Sequence, residues 1–157
     1  MAGISRRVLG DLIEARLTGG VRANVTIFRG EITGTLPLIT GTTATDPARR
    51  VAPYAVLHTG AGTPIIEPDL ANTADELMWP FTTIVAAGYD ADCADTYDQV
   101  HDLLYRWSPT APADSGLVFG RILQPEGYDP GPIRRIDVPG IAPRYELPAQ
   151  WLLPVTR

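Results

Sequence analysis

Lysine is missing from this chain: all thirteen basic residues are arginine. A chain without lysine forms no lysine Schiff base and has no lysine for a phosphate loop of the Walker kind. Cysteine occurs once, at Cys93, so no disulfide closes within the chain. On an apolar helical stripe, that thiol reads as a small core residue. Histidine occurs only at His58 and His101, with no cysteine pair or Glu-x-x-His beside either, which argues against zinc. The three serines, Ser5, Ser108 and Ser115, have no nucleophile-elbow context. No run of 18 apolar residues occurs, so no membrane-spanning helix is expected. Asparagine is scarce too, at Asn24 and Asn72 only. With the missing lysine, this fits a GC-rich coding genome rather than a site.

What is present suits one domain spanning residues 1–157, with 45% hydrophobic residues to build a core. The formal net charge of −5 disfavours gripping a DNA or RNA backbone, which calls for a basic face. The N-terminus has charges on both sides of a short apolar patch and no small-residue cleavage site, so it reads as a helix rather than a signal peptide.

A first helix is expected over residues 5–17, where Val8, Leu9, Leu12, Ile13 and Leu17 make one stripe. Gly19 and Gly20 are expected to end it in a left-handed cap. Short strands are expected over 25–28, 36–39 and 53–58, with a loop over 41–47 and a polar connection over 63–76. The segment 79–87 is apolar on both faces and belongs at the centre of a sheet, with Pro80 in its first turn. A second helix over 91–107 follows, capped by Asp90 or Asp92. Its expected stripe is Cys93, Tyr97, Val100, Leu104 and Trp107, with Arg106 at its end. Strands over 117–123 and 133–138 come next.

The last element alternates strictly. Odd positions from Tyr145 to Val155 are apolar; even positions include Pro148 and Pro154. Prolines of one parity delete N–H donors from one edge only, which predicts an edge strand with its free side blunted. The expected fold is a single α+β domain: a mostly antiparallel sheet with an amphipathic helix on one face and an N-terminal helix.

Candidate chemistry fares poorly. Asp90, Asp92 and Asp95 hint at a calcium loop, but such a loop needs glycine at its sixth place and a carboxylate at its twelfth; here stand Asp95 and His101. Capping explains the acids better. His101, beside Asp98 and Asp102, is expected to be solvated or weakly paired. Gly60-Ala-Gly62 leads into Thr63-Pro64 rather than a glycine-led helix. No catalytic, cofactor-binding or metal-binding residue is assigned, and no enzyme is expected. The arginine pairs at 6–7, 49–50 and 134–135 remain as partner-binding candidates. The best interface set is Arg134, Arg135, Arg144, Tyr145 and Trp151.

Taken in order, the N-terminal helix, Pro53-Tyr-Ala-Val-Leu, Trp79-Pro-Phe-Thr-Thr-Ile-Val, the Tyr89-Asp90 turn into a helix ending Leu-Leu-Tyr-Arg-Trp107, and the closing Pro143-Arg-Tyr-Glu-Leu-Pro-Ala-Gln-Trp151-Leu-Leu strand resemble the tail terminator (tail-completion) proteins of long-tailed bacteriophages. The likeness covers residues 50–157 most closely. It implies a hexameric ring that caps the tail tube, ends its polymerisation and joins the head-side connector. The implied partners are copies of itself, the tube protein and the connector; DNA passes through without specific binding. The implied location is the virion, with host cytoplasm during assembly. Another neck, head-closure or tube-related component is the alternative within that class, and a monomeric binding module lies outside it.

Two features fit a ring without the resemblance. Closed rings use heterologous contacts, which a long closing strand with one pairable edge suits. Six copies at −5 would carry about −30, a sign that keeps DNA from sticking to a lumen.

Overall fold

The computed structural model describes residues 5–39, 50–60, 63–64 and 76–156. The expected loop over 41–47 and nearly all of the polar connection over 63–76 lie outside them. The chain order is α1 (Arg6–Gly20), β1 (Thr26–Arg29), β2 (Tyr54–Thr59), β3 (Thr63–Pro64), β4 (Glu76–Ala87), α2 (Asp90–Leu104), β5 (Val118–Phe119), β6 (Arg134–Ile136) and β7 (Arg144–Thr156). The strands form one mixed sheet in the order β1-β2-β4-β7-β5, with β3 beside β4 and β6 beside β7. Among the described strands, only the β1–β2 pair is parallel. The result is the expected α+β domain with both helices on one sheet face.

The period-2 patterns of β4 and β7 decide where the core lies. Their ladder runs unbroken from Glu76↔Thr156 to Ala87↔Tyr145. Trp79, Phe81, Thr83 and Val85 thereby share one face with Leu147, Ala149, Trp151 and Leu153, all buried. From the helices come Leu9, Ile13 and Leu17 of α1 and Cys93, Val100 and Leu104 of α2. Trp79, Phe81 and Trp151 stack in sequence, with ring centroids 5.3 and 6.3 Å apart. The Trp151 indole N–H donates to Thr83 Oγ1 at 2.9 Å, so neither buried polar atom is orphaned.

Prolines in the sheet are matched by side-chain donors. Pro80 lies well inside β4, not in its first turn as expected. Its carbonyl accepts from Gly60 N–H, but it cannot return the second bond of an antiparallel pair. The Trp79 indole N–H supplies it instead, at 3.0 Å from the Gly60 carbonyl. Pro154 repeats the arrangement: its carbonyl accepts from Gly120 N–H, and Ser108 Oγ donates to the Gly120 carbonyl at 2.8 Å.

Several expectations change. Gly19 and Gly20 do not form a left-handed cap; α1 runs through both and ends at Val21, in extended conformation. Gly20 instead permits helix contact, because a Cβ there would meet Leu103 Cδ2 at 2.3 Å. β7 is not an edge strand. β4 does take its proline-free edge, but β5, β6 and Leu123 pair with the other in pieces. The expected 36–39 strand shrinks to a Leu38↔Val51 bridge, and the 117–123 strand to β5 and a Leu123↔Leu152 bridge. No side chain caps α2: Tyr89 holds the cap position, and Asp90 Oδ1 accepts from Ala91 N–H at 2.8 Å.

α2 also stops at Leu104, three residues early. Arg106 adopts φ 63°, so the chain swings out, Arg106 N–H reaches the Ile122 carbonyl, and Ile122 N–H reaches that of Trp107, each at 2.8 Å. A left-handed conformation costs an L-residue about 1 kcal/mol and glycine almost nothing. Arg106→Gly is therefore expected to hold or slightly raise the thermal midpoint despite losing the guanidinium over Tyr105. Arg106→Val is expected to lower stability by more than about 1 kcal/mol in urea titration. Equal midpoints for the two variants would contradict this account.

Candidate subunit interface

With both helices on one side, the even positions of β7 and their cross-strand neighbours form a second sheet face. Registers place them in rows. Tyr54, Ala86, Glu146 and Arg134 make one; Phe28, Val56, Ile84 and Pro148 the next; then His58, Thr82 and Gln150. Pro80, Leu152 and Leu123 follow, then Met78 and Pro154. At the Tyr54 end, a small second core of Val51, Tyr54, Val56, Ala86 and Ala142 is closed by Phe28, Ile32, Leu36 and Leu38. Burial pushes the Tyr54 hydroxyl above its ordinary range, with the nearby Arg144 charge opposing. Beyond that core the face stays open. Met78, Pro80, Ile84, Leu152 and Pro154 are half-buried, while Leu123 is 42% exposed and Val118 63%.

The arginine edge borders this face. Four of the five residues expected at an interface lie together on the β6–β7 ladder, where Arg134 faces Glu146, Arg135 faces Tyr145 and Ile136 faces Arg144. Arg144 Nε donates to Glu146 Oε1 at 2.5 Å, both half-buried. Arg135 Nε donates to both carboxylate oxygens of Asp137, at 3.1 and 2.9 Å, which raises the pKa of that exposed guanidinium. Arg134 is exposed and has no ion pair among the described residues. Tyr145 is half-buried against the main core. The fifth, Trp151, has no exposed surface, because odd positions of β7 point at α2. It belongs to the core and presents nothing to another subunit.

The helical side contrasts with this edge. α2 carries five aspartates and no lysine or arginine. Asp95 is held by Arg22, at 2.6 Å in its shorter contact, while Asp98 and Asp102 are exposed. His101 is weakly paired as expected, with Nδ1 3.9 Å from Asp102 Oδ1. It is half-buried in a stack, with Tyr97 at 6.1 Å and Tyr105 at 4.9 Å, and Trp151 lies 5.9 Å away. Cys93 is fully buried, and its thiol is pushed up to about 12, chiefly by desolvation. It stays protonated at neutral pH and is therefore a poor nucleophile.

Protein-family models and curated proteins give no match to the chain.

Sequence reading missed the open face and the clamp behind it. Arg29 reaches from β1 across α1, bonding the carboxylates of Asp11 and Glu14 and the Arg7 carbonyl. Those bonds, that to Asp11 foremost, raise the Arg29 pKa. It crosses at Gly10, where a Cβ would meet the guanidinium at 2.2 Å. The available signals were small ones: a glycine inside an otherwise good helix, and apolar residues on both parities of β4.

Proposed function

We propose that this chain is a structural subunit of a phage virion, a tail-terminator-like protein that forms a ring on the tail tube. In that reading the ring stops tube growth and presents the surface that meets the head-side connector. The observation that carries it furthest is the two-faced sheet: helices cover one side, and the other keeps an apolar surface bordered by the arginine edge of β6 and β7. Apolar area with arginine at its border is the composition of a protein–protein contact. A closed ring needs two different surfaces per subunit, and this chain offers an apolar sheet face and an acidic helical layer. The exposed carboxylates of α2 would suit the wall of a DNA conduit, since they repel phosphate.

Deletion of the gene, followed by electron microscopy of lysates, tests the reading. The expected result is tails of abnormal length and heads without tails. Tails of normal length, firmly joined to heads, would exclude it.

A further inference from the structure

Three arginines without a carboxylate partner surround the C-terminal end of α2. Arg16 Nε donates to the Leu103 carbonyl at 3.2 Å, and its guanidinium lies 5.0 Å over the Trp107 ring. The Arg106 guanidinium lies 5.2 Å over the Tyr105 ring. Arg121 precedes Ile122, whose backbone pairs with Arg106 and Trp107. All three are exposed, and none forms an ion pair among the described residues. Arg106 is the most informative of them. Its φ of 63° is backbone that glycine adopts almost freely and an L-residue only at a cost. Glycine would be at least as stable there, so the arginine side chain has a use outside the fold. The same layer carries the opposite charge. Asp98 and Asp102 lie one turn apart on α2, both exposed, and no arginine pairs with either among the described residues. Like charges at that spacing destabilise a helix.

We infer that the arginines at the end of α2 dock onto Asp98 and Asp102 of a second copy of this chain, a head-to-tail contact between helical layers. Two carboxylates one turn apart are a compact target, and planar guanidinium groups grip carboxylates in pairs of hydrogen bonds. The stacked rings hold two of those groups ready. A polyphosphate fits worse, because the net charge is −5 and the aspartates of α2 lie within two turns of Arg106. Arginines and aspartates are different surfaces of one layer, so the contact is of the heterologous kind that can close a ring. The inference rests on the ring reading, for which it names one contact. Asp90 and Asp92, at the other end of α2, are left for the conduit wall.

Charge exchange read by sedimentation velocity tests the contact. One variant carries Arg106→Glu and Arg121→Glu, the other Asp98→Arg and Asp102→Arg. All four positions are exposed, so both variants are expected to melt near the wild-type midpoint. Either variant alone sets like charges against each other and is expected to stay monomeric at concentrations where the wild type associates. An equal mixture restores opposite charges at every junction and is expected to recover the wild-type sedimentation profile. Arg106→Gly is expected to weaken association by about fivefold, the loss of one exposed ion pair, without lowering the thermal midpoint. The inference is overturned if either double variant associates as the wild type does, if the mixture stays monomeric, or if the wild type itself never associates. It is also overturned if the wild type binds a single-stranded oligonucleotide and Arg106→Gly abolishes that binding, because the arginines then grip phosphate. A ring of wild-type mass formed by one double variant alone would remove this contact and leave the ring reading standing. Normal tails after gene deletion would instead remove the ring reading, whatever the mixture does.

Discussion

Trp151→Asp is expected to yield no cooperatively folding protein. Trp151 is fully enclosed, stacks near Phe81 and His101, and donates to Thr83 Oγ1. Removing a buried tryptophan side chain costs about 3–5 kcal/mol in lost burial and residual cavity. An unpaired carboxylate in its place adds a desolvation penalty of several kcal/mol more. A domain of this size has about 5–15 kcal/mol in total, so the sum consumes most or all of its stability. Circular dichroism against temperature is expected to show a broad, featureless melt and recovery mainly as aggregate. Trp151→Phe keeps the ring stack and loses the hydrogen bond, and is expected to melt cooperatively a few degrees lower. Cooperative melting of Trp151→Asp near the wild-type midpoint would mean that β7 does not face α2 as described.

Gly88→Val is the second large effect. Gly88 joins β4 to α2, and its N–H donates to the Val51 carbonyl at 2.8 Å. A Cβ there would lie 2.7 Å from that carbonyl oxygen and 2.9 Å from the Val51 nitrogen. Both are backbone atoms, which cannot swing aside as a flexible side chain can. The 50–51 segment must then move, losing the hydrogen bond and disturbing the second core around Val51. A cost of about 3 kcal/mol is expected, read as a lower urea midpoint with an unchanged slope. Gly19→Ala supplies the opposite sign, since nothing lies within 4 Å of that position and it sits within α1. Up to about 1 kcal/mol of stabilisation is expected there. Similar losses for both variants would show that backbone freedom, not the close approach at Val51, governs Gly88.

These sites also mark how far the sequence could be read. β7 was legible to its ends because strict alternation over a long span has one strand solution, and the apolar segment 79–87 does lie inside the sheet, between β2 and β7. The termini of helices were less legible. Gly19 and Gly20 resemble a stop signal, yet Gly20 is there to let Leu103 approach, a contact between residues more than eighty positions apart. α2 stops early because Arg106 and Trp107 turn to pair with Ile122, which helical periodicity cannot reveal. Arg134 and Arg135 were legible as a candidate pair, but their register opposite Glu146 and Tyr145 was not. Trp151 was misassigned to the interface, although its parity already placed it with the core. The open sheet face escaped notice, since which apolar face receives the helices depends on how the chain crosses the sheet.

The matched prolines carry a consequence for how such a chain can change. Once Pro80 deprives the Gly60 carbonyl of its backbone donor, the indole of Trp79 is no longer replaceable by another large hydrophobe. Ser108 stands in the same relation to Pro154 through Gly120. Each proline therefore entrenches a partner, and a lineage that loses the partner first passes through an unsatisfied carbonyl. Among descendants of this sequence, proline and donor should be inherited as pairs and lost proline-first.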